Sequence, residues 1–494
     1  MATEATDRTI RSLIPARLDR LPWSPFHTRL VLALGVAWVL DGLEITVASA
    51  IAQTLTEPTT LGLSPTAVGL IATVYLIGEV VGALFFGRHS DRLGRRKLFM
   101  LTLGVYLGGS GLTALTIGSG PGWIAFLYAT RFIAGMGIGG EYAAINSAID
   151  ELIPARYRGR IDIAINGTYW FGAILGTLGS LIFLNVFDPS LGWRLGFLIG
   201  PVLGLFILVL RRHLPESPRW QVMHGRKDEA EESIDYIENE VRDGGRTIPE
   251  VDDSKAIELR PERSHGYIAL LRVLFKTYPK RSILGATLMI TQSFLYNSIF
   301  FTYTIVLGTF YGVEASATPW YLIAFAVGNF IGPLALGHLF DTLGRRKMIA
   351  GTYILSGVLL AISAFLFNAG LLNALTQTIA WCIIFFFASA GASSAYLTVS
   401  EIFPLEVRAM AIADFFAIAQ GFYALGPVLY GALIGDGSNP TLLVYGPAGR
   451  RHHDHQRLGR HVSGYRRGEQ APGGRRTTVD LCRWRMTAPA PTAP

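Results

Sequence analysis

One stretch of this chain occurs twice. Gly87-Arg88-His89-Ser90-Asp91-Arg92-Leu93-Gly94-Arg95-Arg96-Lys97 stands between two apolar runs, and Gly337-His338-Leu339-Phe340-Asp341-Thr342-Leu343-Gly344-Arg345-Arg346-Lys347 stands between two others, 250 residues later (337 − 87). A second pattern keeps the same offset: Glu151-Leu152-Ile153-Pro154 with Arg158 returns as Glu401-Ile402-Phe403-Pro404 with Arg408 (401 − 151). A chance basic loop accounts for either motif alone, but two unrelated motifs in register point to duplicated halves.

The chain has too little charge for a soluble protein. Only 16% of its 494 residues are charged and 50% are hydrophobic, whereas soluble domains carry about 25% charge. A bilayer span needs roughly 20 mostly apolar residues. That rule places helices near Arg29–Leu55, Ala67–Gly87, Leu98–Ile117, Trp123–Ile149, Ile161–Phe187 and Trp193–Leu210, then near Ile283–Tyr311, Trp320–Phe340, Met348–Phe367, Leu371–Val399 and Ala409–Ile434. The fold class expected is all-α, with two pseudo-symmetric bundles and the twelfth helix missing. The expected units are an N-terminal segment (1–28), a six-helix bundle (29–210), a linker (211–282), a five-helix bundle (283–444) and a basic tail (445–494).

The net charge of +7 then reads as loop bias, not as nucleic-acid binding. One side collects the N-terminus, both Arg-rich repeats, Arg156 to Arg160 and the long linker. The loops opposite (Thr56–Thr66, Gly118–Gly122, Gly312–Thr318, Asn368–Gly370, Gly435–Thr441) hold no Lys or Arg, and only Arg194 breaks the asymmetry. The basic side is expected to be cytoplasmic, in a multi-pass protein of the cytoplasmic membrane, with no cleaved leader. Cys382 and Cys482 do not suggest a disulfide framework. Within the linker, Ala230, Ile234, Ile237 and Val241 recur at helical spacing between acids. They predict an amphipathic helix, either docked under the membrane bundle or solvated.

These residues resemble the major facilitator superfamily, and within it the sugar porter branch, from about Arg29 to Ile434. The repeated loop matches the superfamily signature, and Arg131 with Gly135, Gly137, Gly139 and Gly140 resembles its fourth-helix motif. Glu151, Pro154, Arg158 to Arg160 and Pro215 to Trp220 resemble sugar-porter signatures. Gln292 and Asn297 stand where sugar porters keep a seventh-helix glutamine and asparagine. The chain departs from that branch at Ala173, at Thr291 and at Ser393 to Tyr396. Asp41-Gly42-Leu43-Glu44 resembles instead the first helix of aromatic-acid and organic-acid proton symporters.

The resemblance implies a secondary transporter, not an enzyme, that moves a small polar, sugar-like metabolite with protons by alternating access. The expected partners are that substrate, protons and membrane lipid, with no nucleic acid, no cofactor, no metal and a monomeric chain. An organic or aromatic acid is the alternative substrate; a transporter-like sensor and an inactive product are alternative readings. Gly135, Gly137 and Gly140 also spell G-x-G-x-x-G, but inside an apolar run they are expected to serve close helix packing, not a nucleotide.

A charge within a bilayer is costly, so it faces a partner or an aqueous cavity. The resemblance pairs Glu44 with Arg131 for proton coupling, with Asp41 three residues before Glu44 as the second candidate. A static ion pair between helices one and four is the competing reading. Gln292, Asn297, Tyr396, Asn166, Trp170 and Asp414 are expected to line the substrate site, with Glu79 and Glu141 as further charges at membrane depth. Gly87, Asp91, Arg92, Gly94, Arg95, Glu151, Arg158, Glu216, Arg219, Asp341, Arg345, Glu401 and Arg408 are expected to form a cytoplasmic gate; the competing reading is that the arginines serve only to hold these loops inside. Exposed pairs contribute only about 0–1 kcal/mol each, which suffices to bias two closely balanced states.

Two predictions follow from this pattern. Reporters placed after Arg96, Lys227 or Arg346 should lie in the cytoplasm and one after Glu314 outside; external labelling at Lys227 refutes this topology. The second prediction concerns the tail. The apolar start Thr441 to Val444 stops at Tyr445, and ten arginines follow without a lysine. The tail is therefore expected not to span the membrane and to be largely disordered. A reading-frame shift near codon 444 would explain it, and a genuine basic tail is the alternative. Read in one of the other two frames, the gene should encode roughly 20 consecutive apolar residues there. Finding no such stretch in either frame refutes the shift.

Overall fold

The computed structural model describes residues 10–211, 216–252, 254, 256–259, 267–402, 415, 417–435 and 437. The tail from 441 onward, Asp414 and Arg408 lie outside the described residues. In a bilayer, backbone groups find no water, so the chain satisfies them within helices. The first half comprises α2 (Pro25–Ala50), α3 (Pro65–Leu93), α4 (Arg95–Thr113), α5 (Pro121–Leu152), α6 (Ala155–Val186) and α7 (Pro189–Arg211). The second comprises α11 (Pro279–Tyr311), α12 (Thr318–Thr342), α13 (Arg345–Asn368), α14 (Ala374–Ile402) and α15 (Gly426–Ile434), which helical residues 417–423 lead into. Among the described residues, eight helices are long and apolar enough to cross a membrane. The remaining three expected runs are helical too, as α4, α5 and α11.

The duplication is visible in the backbone. Gly94 and Gly344, 250 residues apart, are both N-caps with positive φ (85° and 93°), a region open to glycine at no steric cost. Each turns the chain between the second and third helix of its half. The helix contacts repeat as well. A Cβ on Gly78 or Gly82 of α3 would collide with the backbone of α5 at Phe132 and Met136. A Cβ on Gly328 or Gly332 of α12 would meet α14 at Cys382 and Phe386. All four equivalences keep the offset of 250. Small residues let helix backbones touch where no hydrophobic effect drives association.

The halves meet through α2 with α11, α3 with α15 and α6 with α12. At the end away from the basic loops, Ser49 Oγ donates to the Phe300 carbonyl (2.5 Å), and Thr304 Oγ1 donates to the Ser49 carbonyl (2.6 Å). Gly69 and Gly431 admit the backbones of Pro427 and Pro65 there. That end of the seam is closed in this conformation.

On the opposite face, the N-terminus and linker fold together. Helix α1 (Ile14–Asp19), α8 (Pro218–Met223) and α9 (Lys227–Asp243) pack on one another, and α8 and α9 also touch α5 and α2. Ala230, Ile234, Ile237 and Val241 are fully buried there beside Ile14, Leu18 and Leu21. A short antiparallel ladder, β1 (Ile10–Ser12) with β2 (Ile257–Leu259), closes the assembly; hydrophobic periodicity gave no sign of it. Arg17 forks to Glu231 (2.6 Å), Asp235 (2.6 Å) and Glu238 (2.8 Å), three residues along one face of α9, and Arg20 also reaches Glu238 (2.6 Å).

Burial works against charge on Glu238, but the hydrogen bonds from Arg17 and Arg20 outweigh it and hold the carboxyl below its ordinary range. A carboxyl depressed on folding adds stability above its unfolded pKa and loses it as pH falls through the folded value. Docking of α9 should therefore be firm at neutral pH and loosen below about pH 4. Glu238→Ala should weaken docking by roughly 2 kcal/mol, since bonds to charged groups contribute about 1.5–3 kcal/mol. Faster proteolysis within residues 227–252 checks this; unchanged cleavage in Glu238→Ala contradicts it.

Candidate functional site

The first half buries a polar cluster at mid-depth. Helix α2 supplies Asp41 and Glu44, which are 2% and 0% exposed. Gly42 between them lies against the Tyr169 backbone of α6, which draws this part of α2 into the bundle. Arg131 of α5, 1% exposed, donates through Nη1 to Glu44 Oε1. Two donors one turn apart on α4 complete the carboxylate's shell: Tyr106 Oη at 2.9 Å from Oε2 and Ser110 Oγ at 2.8 Å from Oε1. The guanidinium is held between two rings, 4.3 Å from the Tyr75 centroid and 4.7 Å from that of Phe197, where the ring faces attract the cation. Gly200 of α7 leaves the space that Tyr106 Oη occupies.

A third carboxylate stands at the seam. Glu79 of α3 is 2% exposed. Its Oε2 accepts from Gln420 Nε2 (3.0 Å) and Tyr423 Oη (3.2 Å), both in the second half. Glu141 of α5 is also buried. The structure thus brings Glu44 and Arg131 together, with Asp41 nearby. Trp170 lies partly buried on α6, its ring edge-on to Tyr169 at 5.4 Å. Gln292 and Asn297 fall on α11, Tyr396 on α14 and Asn166 on α6, their side chains outside the described residues, as is Asp414 altogether.

The expected gate residues gather on the basic face. Gly87, Asp91 and Arg92 end α3, and Gly94 caps α4, which Arg95 begins. Glu151 ends α5 and Arg158 begins α6; Asp341, Arg345 and Glu401 occupy the matching helix ends of the second half. Glu216 accepts from the Arg96 backbone N–H (3.2 Å), placing a negative charge at the N-terminus of α4. Arg219 reaches Asp19 (3.4 Å).

Tyr106, Ser110, Gln420 and Tyr423 were not foreseen from the sequence. Their signal was there: Tyr106 with Ser110, and Gln420 with Tyr423, are polar residues at helical spacing inside apolar runs. An acceptor on another helix is what gives such residues meaning, and no single run reveals it.

The arrangement suits a transporter: a buried ion pair within the first bundle and a buried carboxylate at the seam between two packed bundles, with one end of that seam closed. Comparison with known proteins agrees. Residues 41–444 match the profile of the family described as "Sugar (and other) transporter". The niacin transporter NiaP of Acinetobacter baylyi is 28% identical over 395 residues, covering 80% of this chain and 84% of that protein. The major myo-inositol transporter IolT of Bacillus subtilis is 28% identical over 403 residues, covering 78% and 80%. Among solved structures, a D-xylose–proton symporter superposes with a TM-score of 0.65 at 20% identity, covering 83% of this chain and 90% of that one. The inward-open xylose transporter XylE from E. coli gives 0.62 at 20% identity, covering 86% and 93%. The fold is that of the major facilitator superfamily, and the chain belongs to the sugar (and other) transporter family.

Proposed function

We propose that this protein is a proton-coupled symporter that carries a small polar metabolite across the cytoplasmic membrane by alternating access. The observation behind this reading is the Glu44–Arg131 pair, sealed at mid-depth with Tyr106 and Ser110 as donors. A buried ion pair is weak as a stability device, so its presence favours a role in the cycle. When the seam opens and water reaches Glu44, the carboxylate can exchange its arginine contact for a proton. When the seam closes, the pair re-forms and the proton leaves on the other side. The basic face is read as cytoplasmic, so the closed end is read as external. A small polar cargo is in keeping with relatives named for myo-inositol and niacin and with a neighbouring structure named for xylose. Monomeric operation needs no partner copy, since both bundles lie in one chain.

Glu44→Gln keeps the size and most hydrogen bonding of the side chain but cannot titrate. In proteoliposomes the variant should still exchange substrate down its gradient and should fail to concentrate it under an imposed proton gradient. Undiminished accumulation would move the coupling role to Asp41. Glu44→Ala strands the buried guanidinium and should cost about 3–5 kcal/mol of stability, readable as a large fall in melting temperature that Glu44→Gln does not match.

A further inference from the structure

We infer that helix α10 (Tyr267–Thr277) and the start of α11 form a binding surface for the headgroup of an anionic phospholipid, with Arg272, Lys276 and Lys280 as its cations. The inference needs only that the chain spans a bilayer; it is independent of cargo and coupling. The inward side of α10 is fastened to the second half. Leu274 is fully buried with Met289, Phe415 and Ala419, and Tyr278 packs against the same cluster. On the outward side, Arg272, Phe275 and Lys276 are exposed at i, i+3 and i+4, so they share one face. Phe275 leaves 40% of its surface open between the two cations. An aromatic ring set among Lys and Arg is the pattern of a helix that lies in the membrane interface.

The first turn of α11 fixes the level in the membrane. Lys280 and Arg281 are exposed there, and Arg281 lies over the Tyr278 ring, 5.6 Å from its centroid. Directly after them, Ile283 and Leu284 are 59% and 48% exposed. Large apolar side chains turned outward on a membrane helix face the lipid tails. The boundary between hydrocarbon and headgroups therefore falls beside Ser282, which sets Lys280 at the depth of the lipid phosphates. Ser282 also donates to the Leu274 carbonyl (2.9 Å), so α10 is held at the same level.

Charge says what belongs on this face. No Asp or Glu stands between Glu262 and Glu314, and Arg272, Lys276 and Lys280 pair with no carboxylate among the described residues. The first half treats the equivalent place differently. Leu21, Phe26 and Leu30, which lead into α2, are buried in one core with Ile234 and Val241 of α9. The cations beside them, Arg17, Arg20 and Arg29, are paired with Glu231, Asp235, Glu238 and Glu240 of α9. There the chain supplies both the apolar cover and the opposite charge. Before α11 it supplies neither among the described residues. Positive-inside bias accounts for basic residues on this side, but it does not group them around an exposed ring at headgroup depth. An anionic lipid provides both missing parts: a phosphate for the cations and an acyl chain for Phe275.

The test titrates the purified full-length protein, in a neutral detergent, with dioleoylphosphatidylglycerol or dioleoylphosphatidylcholine, and counts bound lipid by native mass spectrometry. The anionic lipid should bind about tenfold or more tightly at low salt, within reach of three cations near an anionic headgroup, and the preference should shrink as salt is raised. Replacing Arg272, Lys276 and Lys280 together by Gln should bring the preference below about twofold, and each single Gln substitution should remove part of it. Exchanging Lys for Arg and Arg for Lys at the three positions should preserve it. Lys227→Gln with Arg246→Gln, which removes two exposed cations from the first half's share of the linker, should also leave it unchanged. Equal binding of the two lipids overturns the inference, and so does a preference that survives in the triple Gln variant. A loss matched by the Lys227 and Arg246 pair shows diffuse attraction and overturns it as well. Competition by millimolar glycerol phosphate that displaces the lipid completely would assign the cations to a soluble phosphate instead, and defeats the lipid site.

Discussion

The contact between α3 and α5 positions everything else at mid-depth. Gly78 and Gly82 on one helix and Gly135 and Gly139 on the other let the two backbones touch. A bilayer offers no hydrophobic drive for helices to associate, so close van der Waals approach must supply it. The consequence for chemistry is direct. Gly135 lies against the Tyr75 backbone and Gly139 against that of Glu79. The same contact therefore lays the Tyr75 ring on Arg131 and sets Glu79 one turn further along, facing the other half. Side chains on glycine-poor helices would hold α3 and α5 apart and disperse the cluster.

The scaffold is symmetric and its charges are not. Gly94 and Gly344 make the same turn, and Gly78 and Gly82 make the contacts that Gly328 and Gly332 repeat. At the same offset, Glu44 becomes Phe294, Arg131 becomes Trp381, Asp41 becomes Thr291 and Glu79 becomes Asn329. Phe294 and Trp381 pack in the apolar core that runs through both halves. Duplication kept what folding requires, the turn glycines and the helix contacts, while at these four positions the ionisable groups stand in the first half alone. The second half supplies neutral donors to Glu79 across the seam in Gln420 and Tyr423.

The sequence made the fold legible because membrane helices announce themselves by length and composition, and because the repeat pinned the halves to one register. The apolar stripe of Ala230, Ile234, Ile237 and Val241 likewise marked the buried face of α9, though the stripe alone did not say what covers it. The β1–β2 ladder escaped notice because three-residue strands lie below any periodicity. At the site, Glu44, Arg131 and Asp41 stood out as charges in apolar runs. Tyr106 and Ser110 did not, since a hydroxyl in a membrane helix more often bonds its own backbone, as Thr102 and Thr113 do here. Glu79 was visible as a charge, but its role at the seam depends on which helix faces α3, and that is a tertiary fact.

The linker divides between the two halves. Helices α1, α8 and α9 share one core with α2, α5 and α6, through Leu34, Ala148 and Ile165. Arg29 of α2 is paired with Glu240 of α9, and β1 ties residues 257–259 to the N-terminus. Through β2, the linker therefore belongs to the first half. Helix α10 (Tyr267–Thr277) belongs to the second: Leu274 packs with Met289, Phe415 and Ala419, and Ser282 donates to its carbonyl (2.9 Å). A chain built this way can rock its halves without unfolding the linker, because each part of it is bound to the half it moves with. Glu216 at the N-terminus of α4 places a linker residue at the repeated basic loop, so this loop and the linker are tied to each other and to the first bundle.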